Sequence, residues 1–386
     1  MIADPYKGLA RFEDTDVDAS LFFGRGRDRD VVAANLQAAR LTVLYGESGV
    51  GKSSLLRAGV AHGLRRGPEP AVVAVFDAWQ GDSASELRRA LAETAGIEPA
   101  PSLADTIEAC TAVTGGEAYV LLDQVDEYFL YHRGEAGSGT FAEELADALR
   151  RPGLRVGFLL ALREDSLARL DAFKGRIPNL LGNTLRLEHL DREEGRAAIL
   201  GPIEAVNSRA PPGEEVAIEP ELVDLVLDDV TAGRLDFAEA GRGAAAGTVP
   251  DGRIETPYLQ LVMQRLWQAE RGAGSSTLRA ATLRELGGAE QIVHDQLRGA
   301  LDALSPAEQE IAAQVFDHLV TPSGTKIAHR VRDLAEYAHV DEPGRAPRRG
   351  GGAPPRGHRP GGGGAGGGGG EVKHHLHAPA ARRGER

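Results

Sequence analysis

One short stretch limits what this 386-residue chain can fold into more than any other: Gly46-Glu47-Ser48-Gly49-Val50-Gly51-Lys52-Ser53. It satisfies G-x-x-x-x-G-K-[ST] in full, between an apolar run, Leu41–Tyr45, and a stretch with helical spacing, Ser53–Leu64. Gly46, Gly49 and Gly51 let the backbone wrap closely around an anion. The N–H groups of the loop, across Glu47, Ser48 and Val50, and of the helix start at Ser53 and Ser54 then face phosphate oxygens. Lys52 is placed to reach the β and γ phosphates and the Ser53 hydroxyl to ligate Mg²⁺. The plain alternative, a chance glycine-rich turn, would leave the strand before it and the helix after it as coincidence.

Strand and helix signals alternate around this loop. Leu41–Tyr45, Ala71–Phe76, Tyr119–Leu122 and Val156–Leu162 are short apolar runs bounded by polar or turn residues, with Thr184–Leu187 as a fifth. Ser53–Leu64, Ser83–Ala95 and Phe141–Leu149 between them have helical spacing. The alternation predicts an α/β three-layer sandwich, a parallel sheet with helices on both faces. Residues 1–40 form an N-terminal segment of this unit and 41–190 its core. From 191 to 304 the pattern turns helical, with Arg192–Leu200, Pro220–Asp229, Thr256–Gln268 and Ala289–Leu304 fitting amphipathic helices. This predicts an α-helical lid interrupted by a Gly/Ala-rich surface loop, Ala232–Gly252, and places Trp267 and Phe316 on core-facing helix sides. Residues 305–342 are mixed, with a turn at Pro322-Ser323-Gly324.

The second half of the site is Tyr119-Val120-Leu121-Leu122-Asp123-Gln124-Val125-Asp126-Glu127. A carboxylate at the end of an apolar strand emerges beside the phosphate loop, so Asp123 is the Mg²⁺ candidate. Asp126 or Glu127 could polarise the attacking water; alternatively both are acidic residues at a solvated helix start, where the dipole favours them. Val156–Leu162 leads into Arg163-Glu164-Asp165. If that strand lies between the other two, Arg163 faces the γ-phosphate and can stabilise charge in phosphoryl transfer. Otherwise it pairs with Glu164 or Asp165 at the surface.

Together these residues resemble the STAND class of signal-transduction ATPases, specifically the novel STAND NTPases. The resemblance is carried by Pro5-Tyr6-Lys7-Gly8-Leu9, Phe12, Leu21-Phe22-Phe23-Gly24-Arg25, the phosphate loop with Ser54-Leu55-Leu56-Arg57-Ala58-Gly59 after it, and Leu162-Arg163-Glu164-Asp165. Leu122–Glu127 is similar to the group's D-Q-F-E-E segment, with Asp126 where Glu is usual. Gly201-Pro202 resembles the G-x-P element of the lid, and Pro257–Val262 a helix-start motif. The likeness runs from Pro5 to Ala338, and Gly26 departs from it where Glu commonly follows the Gly-Arg pair. It implies a nucleotide switch: ADP holds a closed state, while ATP favours self-association through a core, a lid and a winged helix, here a partial one near Thr321–Ala338. It also implies sensor and effector partners, which this chain does not specify. Gly24 and Arg25 would lie near the adenine and Pro202 near the adenine or ribose edge, unless Pro202 merely starts its helix.

Composition narrows the remaining classes. No run of about 18 apolar residues occurs, which predicts no membrane helix. The single cysteine, Cys110, excludes an internal disulfide and fits a cytoplasmic protein with a buried thiol. The net charge of −13 conceals nine Lys/Arg against two Asp/Glu from Pro343 onward, so the rest of the chain carries −20. An acidic body makes a nucleic-acid surface unexpected. The Gly/Pro/Arg segment 343–386 predicts disorder, and its abrupt onset a truncated or frame-shifted end. His374, His375 and His377 in it lack the fixed geometry of a zinc site. The leading expectation is slow Mg²⁺-dependent ATP hydrolysis that resets a switch; a non-hydrolysing ATP/ADP scaffold and a P-loop small-molecule kinase are the alternatives. GTP is disfavoured because no N-K-x-D motif occurs.

Overall fold

The runs of β-branched and aliphatic residues form five parallel strands: β1 (Leu41–Gly46), β2 (Ala71–Phe76), β3 (Glu117–Leu122), β4 (Val156–Arg163) and β5 (Thr184–Arg186). The computed structural model describes residues 4–135, 137–231, 252–319 and 329–338. The sheet runs β2-β3-β4-β1-β5, so β4 lies between the phosphate-loop strand and the strand ending in Asp123. Gly46 stands beside Arg163 in register, which brings the chemistry of three strands to one carboxyl edge.

Alternate strand residues enter opposite cores, as the two-residue period requires. Val72, Val120, Phe158 and Leu160 pack with Leu87, Ile107 and Leu145 from the helices Ser83–Ala95, Leu103–Thr114 and Phe141–Arg150. Val73, Leu121, Leu159 and Ala161 pack with Val32, Leu36, Leu55 and Val60 from Gly26–Ala38 and the phosphate-loop helix. Both faces are therefore covered, as an all-parallel sheet needs. The helices Gly26–Ala38 and Leu103–Thr114 were not anticipated. The first carries an arginine- and aspartate-rich exposed side, and the second is short and mixes alanine and threonine among its apolar residues. The phosphate-loop helix is also less regular than its spacing suggests. It is α over Lys52–Ser54, π over Leu55–Ala61 and α again over His62–Arg65. Cys110 is fully buried, and burial raises its thiol pKa.

A separate core unites the helices Arg192–Asn207, Pro220–Asp229, Thr256–Gly272, Ala280–Glu285 and Gly288–Asp302. Asp191 and Glu194 start the first with a reciprocal capping box. Two short parallel strands, β6 (Ala217–Ile218) and β7 (Thr277–Leu278), tie its loops. Tyr6 belongs to this core: its ring meets Trp267 edge-on at 6.4 Å and its hydroxyl donates to the Ile199 carbonyl at 2.7 Å. The N-terminal segment is thus shared, since Phe12 and Leu21 pack instead on Ala58 of the phosphate-loop helix.

Trp267 is buried as expected, but Phe316 is 49% exposed. Its helix, Pro306–Leu319, packs mainly on the helix Val331–Tyr337 and not on the lid core. Arg330 at the start of that last helix reaches the core: its Nε and Nη2 donate to the Leu130 carbonyl (2.9 and 2.6 Å) and Nη2 to that of Tyr131 (3.2 Å). The expected loop before Gly252, the turn Pro322–Gly324, residues 320–328 and 339–342 of the winged-helix region and the segment from Pro343, with His374, His375 and His377, lie outside the described residues.

Candidate functional site

A cavity of about 410 Å³ opens at the carboxyl edge of the sheet, bordered by the phosphate loop, the end of β3, the N-terminal segment and the lid. The loop takes the shape that its glycines permit: Gly49 and Gly51 have φ of 90° and 95°, a left-handed region costly for residues with a Cβ. Ser48, Gly49, Val50, Gly51, Lys52, Ser53 and Ser54 border the cavity, while Gly46 and Glu47 stand behind it. The Glu47 carboxylate meets His189 at 3.3 Å and Arg186 at 3.9 Å, both before the lid. Lys52 Nζ donates to the Gly46 and Glu47 carbonyls at 2.8 and 2.7 Å. Burial lowers its pKa, with Asp126 and Asp123 opposing that shift.

Asp123 is almost fully buried at the end of β3. Its backbone N–H donates to Phe76 (2.8 Å), and its carbonyl accepts from Trp79 Nε1 (2.7 Å). Trp79 is fully buried against Phe76, Tyr128 and Phe141, so the aromatic core holds this strand end in place. Its position in an Ala-Trp-Gln loop gave no hint of that role. Asp123 Oδ1 accepts from the Gln124 N–H at 3.0 Å, whereas Oδ2 is buried without a hydrogen-bond partner. Burial raises the pKa of this carboxyl, and the neighbouring Ser53 hydroxyl and Arg57 act against it. A buried anionic oxygen left unpaired beside a serine hydroxyl is costly on its own and suits a hard cation that also takes phosphate and water oxygens. Among the described residues no cluster of three or more His, Cys, Asp or Glu is poised for a metal by itself.

After Asp123 the chain turns sharply at Gln124, in the left-handed region, into the helix Val125–Tyr131. Asp126 and Glu127 both lie in the first turn of that helix, yet Asp126 is buried and not solvated. Asp126 Oδ1 accepts the backbone N–H of Arg163 at 3.3 Å, tying the ends of β3 and β4 together. Asp126 and Glu127 both border the cavity, and the Glu127 pKa is raised by burial first and then by Asp126, Asp77 and Asp123. Arg163 combines both expectations: it borders the cavity, and its guanidinium is paired with Asp165.

The opposite end is assembled from distant segments. Gly24, at φ 84°, lies so close to the lid helix that an added Cβ would come within 2.5 Å of the Glu194 carbonyl. The Phe23 ring covers Gly201 in the same way. Arg25 is buried, donating to the carbonyls of Val50 in the phosphate loop (2.7 Å) and Glu188 before the lid (2.8 Å) and pairing with Asp28. It ties the loop to the segment before the lid while bordering the cavity. Pro202 is neither at a helix start nor on the cavity wall: it sits inside Arg192–Asn207, one turn beyond the carbonyl that Tyr6 engages. The lid proline at the cavity is Pro257, in the first turn of Thr256–Gly272, where it packs on Gly49.

The fold and this edge define a P-loop NTPase of the STAND class. The model of the novel STAND NTPase 1 family matches residues 5–348, and the chain belongs to that family. No curated protein matches the chain. Among solved structures it is similar to the ADP form of the Aeropyrum pernix ORC2 protein (17% identity, 82% of this chain and 79% of that one, TM-score 0.48). Others are the Walker-type ATPase paby2304 of Pyrococcus abyssi (18%, 85% and 91%, 0.42) and Cdc6p from Pyrobaculum aerophilum (13%, 81% and 78%, 0.43). These likenesses extend to the fold alone. Among the described residues no helix is long and apolar enough to cross a membrane.

Proposed function

We propose that this protein is an ATP-dependent switch that binds ATP or ADP with Mg²⁺ in this cavity, hydrolyses ATP slowly, and couples nucleotide state to the arrangement of lid and core and to self-association. The observation that carries this reading is the unpaired, buried Oδ2 of Asp123 beside Ser53, in a cavity shared by Lys52, Glu127 and the lid. Ser53 and Asp123 would hold the cation, which when bound neutralises phosphate charge. Lys52 exchanges its two carbonyl acceptors for the β and γ phosphates. Glu127 takes a proton from the attacking water, its raised pKa suiting a base better than an ordinary carboxylate does. Asp126 acts through Arg163, fixing the strand end that presents the guanidinium. A switch needs only a difference in nucleotide contacts between two arrangements, so slow turnover is sufficient.

The test is calorimetric titration of ATP, ADP and GTP, with and without Mg²⁺, against the wild type and Lys52→Ala. Adenine nucleotides should bind selectively, and Lys52→Ala should weaken them by about 100-fold or more, as loss of charged hydrogen bonds to phosphate implies. Equal binding by a folded Lys52→Ala variant would sink the assignment.

A further inference from the structure

Two non-glycine residues among those described have positive φ, Gln124 at 54° and Asn179 at 52°. Asparagine visits this region readily because its short amide bonds locally, whereas glutamine does not share that compensation. A glycine would make the same turn at less cost, so the backbone alone gives no reason for a glutamine. Strain of this kind, about 1–3 kcal/mol, persists where the surroundings impose it. Here they do: Asp123 is held through both its N–H and its carbonyl, and the Glu127 N–H donates back to the Gln124 carbonyl at 2.9 Å.

The imposed turn brings Gln124 to the cavity wall with Lys52, Ser53, Asp123, Glu127 and Arg163. Its backbone N–H is spent on Asp123, while its carboxamide has no hydrogen-bond partner among the described residues. A carboxamide cannot take a proton at neutral pH, but it offers an acceptor and two donors on one rigid plane. That combination suits a water molecule about to attack an anion.

We infer that Gln124 orients the attacking water, an inference that rests on the ATPase reading above. Its Oε1 accepts one hydrogen of the water and its Nε2 donates to a γ-phosphate oxygen. Glu127 accepts the other proton as the water oxygen bonds to the γ-phosphorus. The bond from that phosphorus to the bridging oxygen breaks, and the electron pair leaves on the β-phosphate. The products are ADP and inorganic phosphate. Gln124 is then a residue that touches a reacting atom, and its backbone strain is retained for the sake of its side chain.

Gln124→Gly and Gln124→Ala separate the two roles. The glycine variant relieves the turn and removes the amide; the alanine variant removes the amide alone. Phosphate release from ATP, ATP affinity and Tm are measured for both, beside the wild type and Lys52→Ala. The expected result is turnover about 100-fold lower in both variants, by analogy with removing one transition-state hydrogen bond. ATP affinity should stay within about twofold, and the glycine variant should melt at or above the wild-type temperature. Wild-type turnover in Gln124→Gly overturns the inference and leaves the ATPase reading standing. A wild type no faster than Lys52→Ala overturns both. If Gln124→Gly does not fold, Gln124→Ala decides on the same readout.

Discussion

The two ends of the cavity are made by different means. The phosphate end comes from the carboxyl ends of three neighbouring strands, β1, β3 and β4, and draws on short local stretches: Ser48 to Ser54, Asp123, Gln124, Asp126, Glu127 and Arg163. The other end draws Phe23 and Arg25 from the N-terminal segment, Leu190 and Ala198 from the lid's beginning, and Thr256 and Pro257 from a later lid helix. Cross-links hold these pieces together: Tyr6 to Ile199, the Lys7 N–H to Gln260 (3.1 Å) and Gln264 to the Tyr6 carbonyl (3.2 Å). The sheet fixes the first end whatever the lid does. The second exists only while lid and N-terminal segment are in place. On the function proposed above, a ligand spanning both ends would bind best the arrangement in which lid and N-terminal segment meet the core, which is the thermodynamic requirement for a switch.

If that division holds, lesions at the two ends should fail differently. The largest effect is expected at the phosphate end, on turnover. Glu127→Gln should reduce ATP hydrolysis by about 100-fold or more, the usual range for a general base, with little change in ATP affinity. The wild type should also lose activity as pH falls through the Glu127 pKa, because the base must be deprotonated. Since burial and the neighbouring carboxylates raise that pKa above its ordinary 4.5, the acidic limb of the pH–rate profile should lie above the range of an exposed glutamate. A profile with the same limb in Glu127→Gln would assign the proton to another group.

A smaller effect, on binding, is expected at the other end. Gly24→Ala places a Cβ against the Glu194 carbonyl and forces alanine into a left-handed conformation. Roughly 2 kcal/mol of such strain, if relieved by moving the N-terminal segment off the lid, should weaken ATP by about tenfold or more. Inorganic tripolyphosphate, which needs only the phosphate end, should bind the variant and the wild type alike. Equal losses for both ligands would mean that the two ends are one cooperative unit.

The same contrast explains what could be read from the chain. The phosphate loop, Asp123 and the acidic pair after it could be picked out because each rests on local spacing, whereas the place of β4 between β1 and β3 was left open, since strand alternation does not set strand order. The choice between Asp126 and Glu127 was left open as well. Both border the cavity, and what sets them apart is tertiary: Asp126 alone also accepts a backbone N–H 37 residues away. Trp79 and the left-handed Gln124 escaped notice for a related reason, since tertiary packing overrides what either residue favours alone. The prolines were interchanged. A Gly-Pro pair suggested Pro202 for the cavity, but only the assembled lid shows that Pro202 lies inside a helix and that Pro257 reaches Gly49. Thr256-Pro257 before an amphipathic run was itself a helix-start signal.

The smallest effect should come from Arg330, and it bears on which end the C-terminal region addresses. Arg330 donates to the last carbonyls of the helix Val125–Tyr131, whose first turn carries Asp126 and Glu127. A guanidinium at a helix C-terminus satisfies free carbonyls and opposes the negative end of the dipole, worth about 1 kcal/mol. Arg330→Ala should therefore lower stability by about that amount in denaturant titrations. It should alter ATP turnover by no more than about threefold, through slackening of the helix that positions Glu127. The preference for adenine over guanine nucleotides should not move, because Leu130, Tyr131 and Arg330 are not among the residues bordering the cavity. A changed base preference with unchanged turnover would reverse the assignment, and the C-terminal helix would then communicate with the nucleotide through the lid and not through the sheet edge.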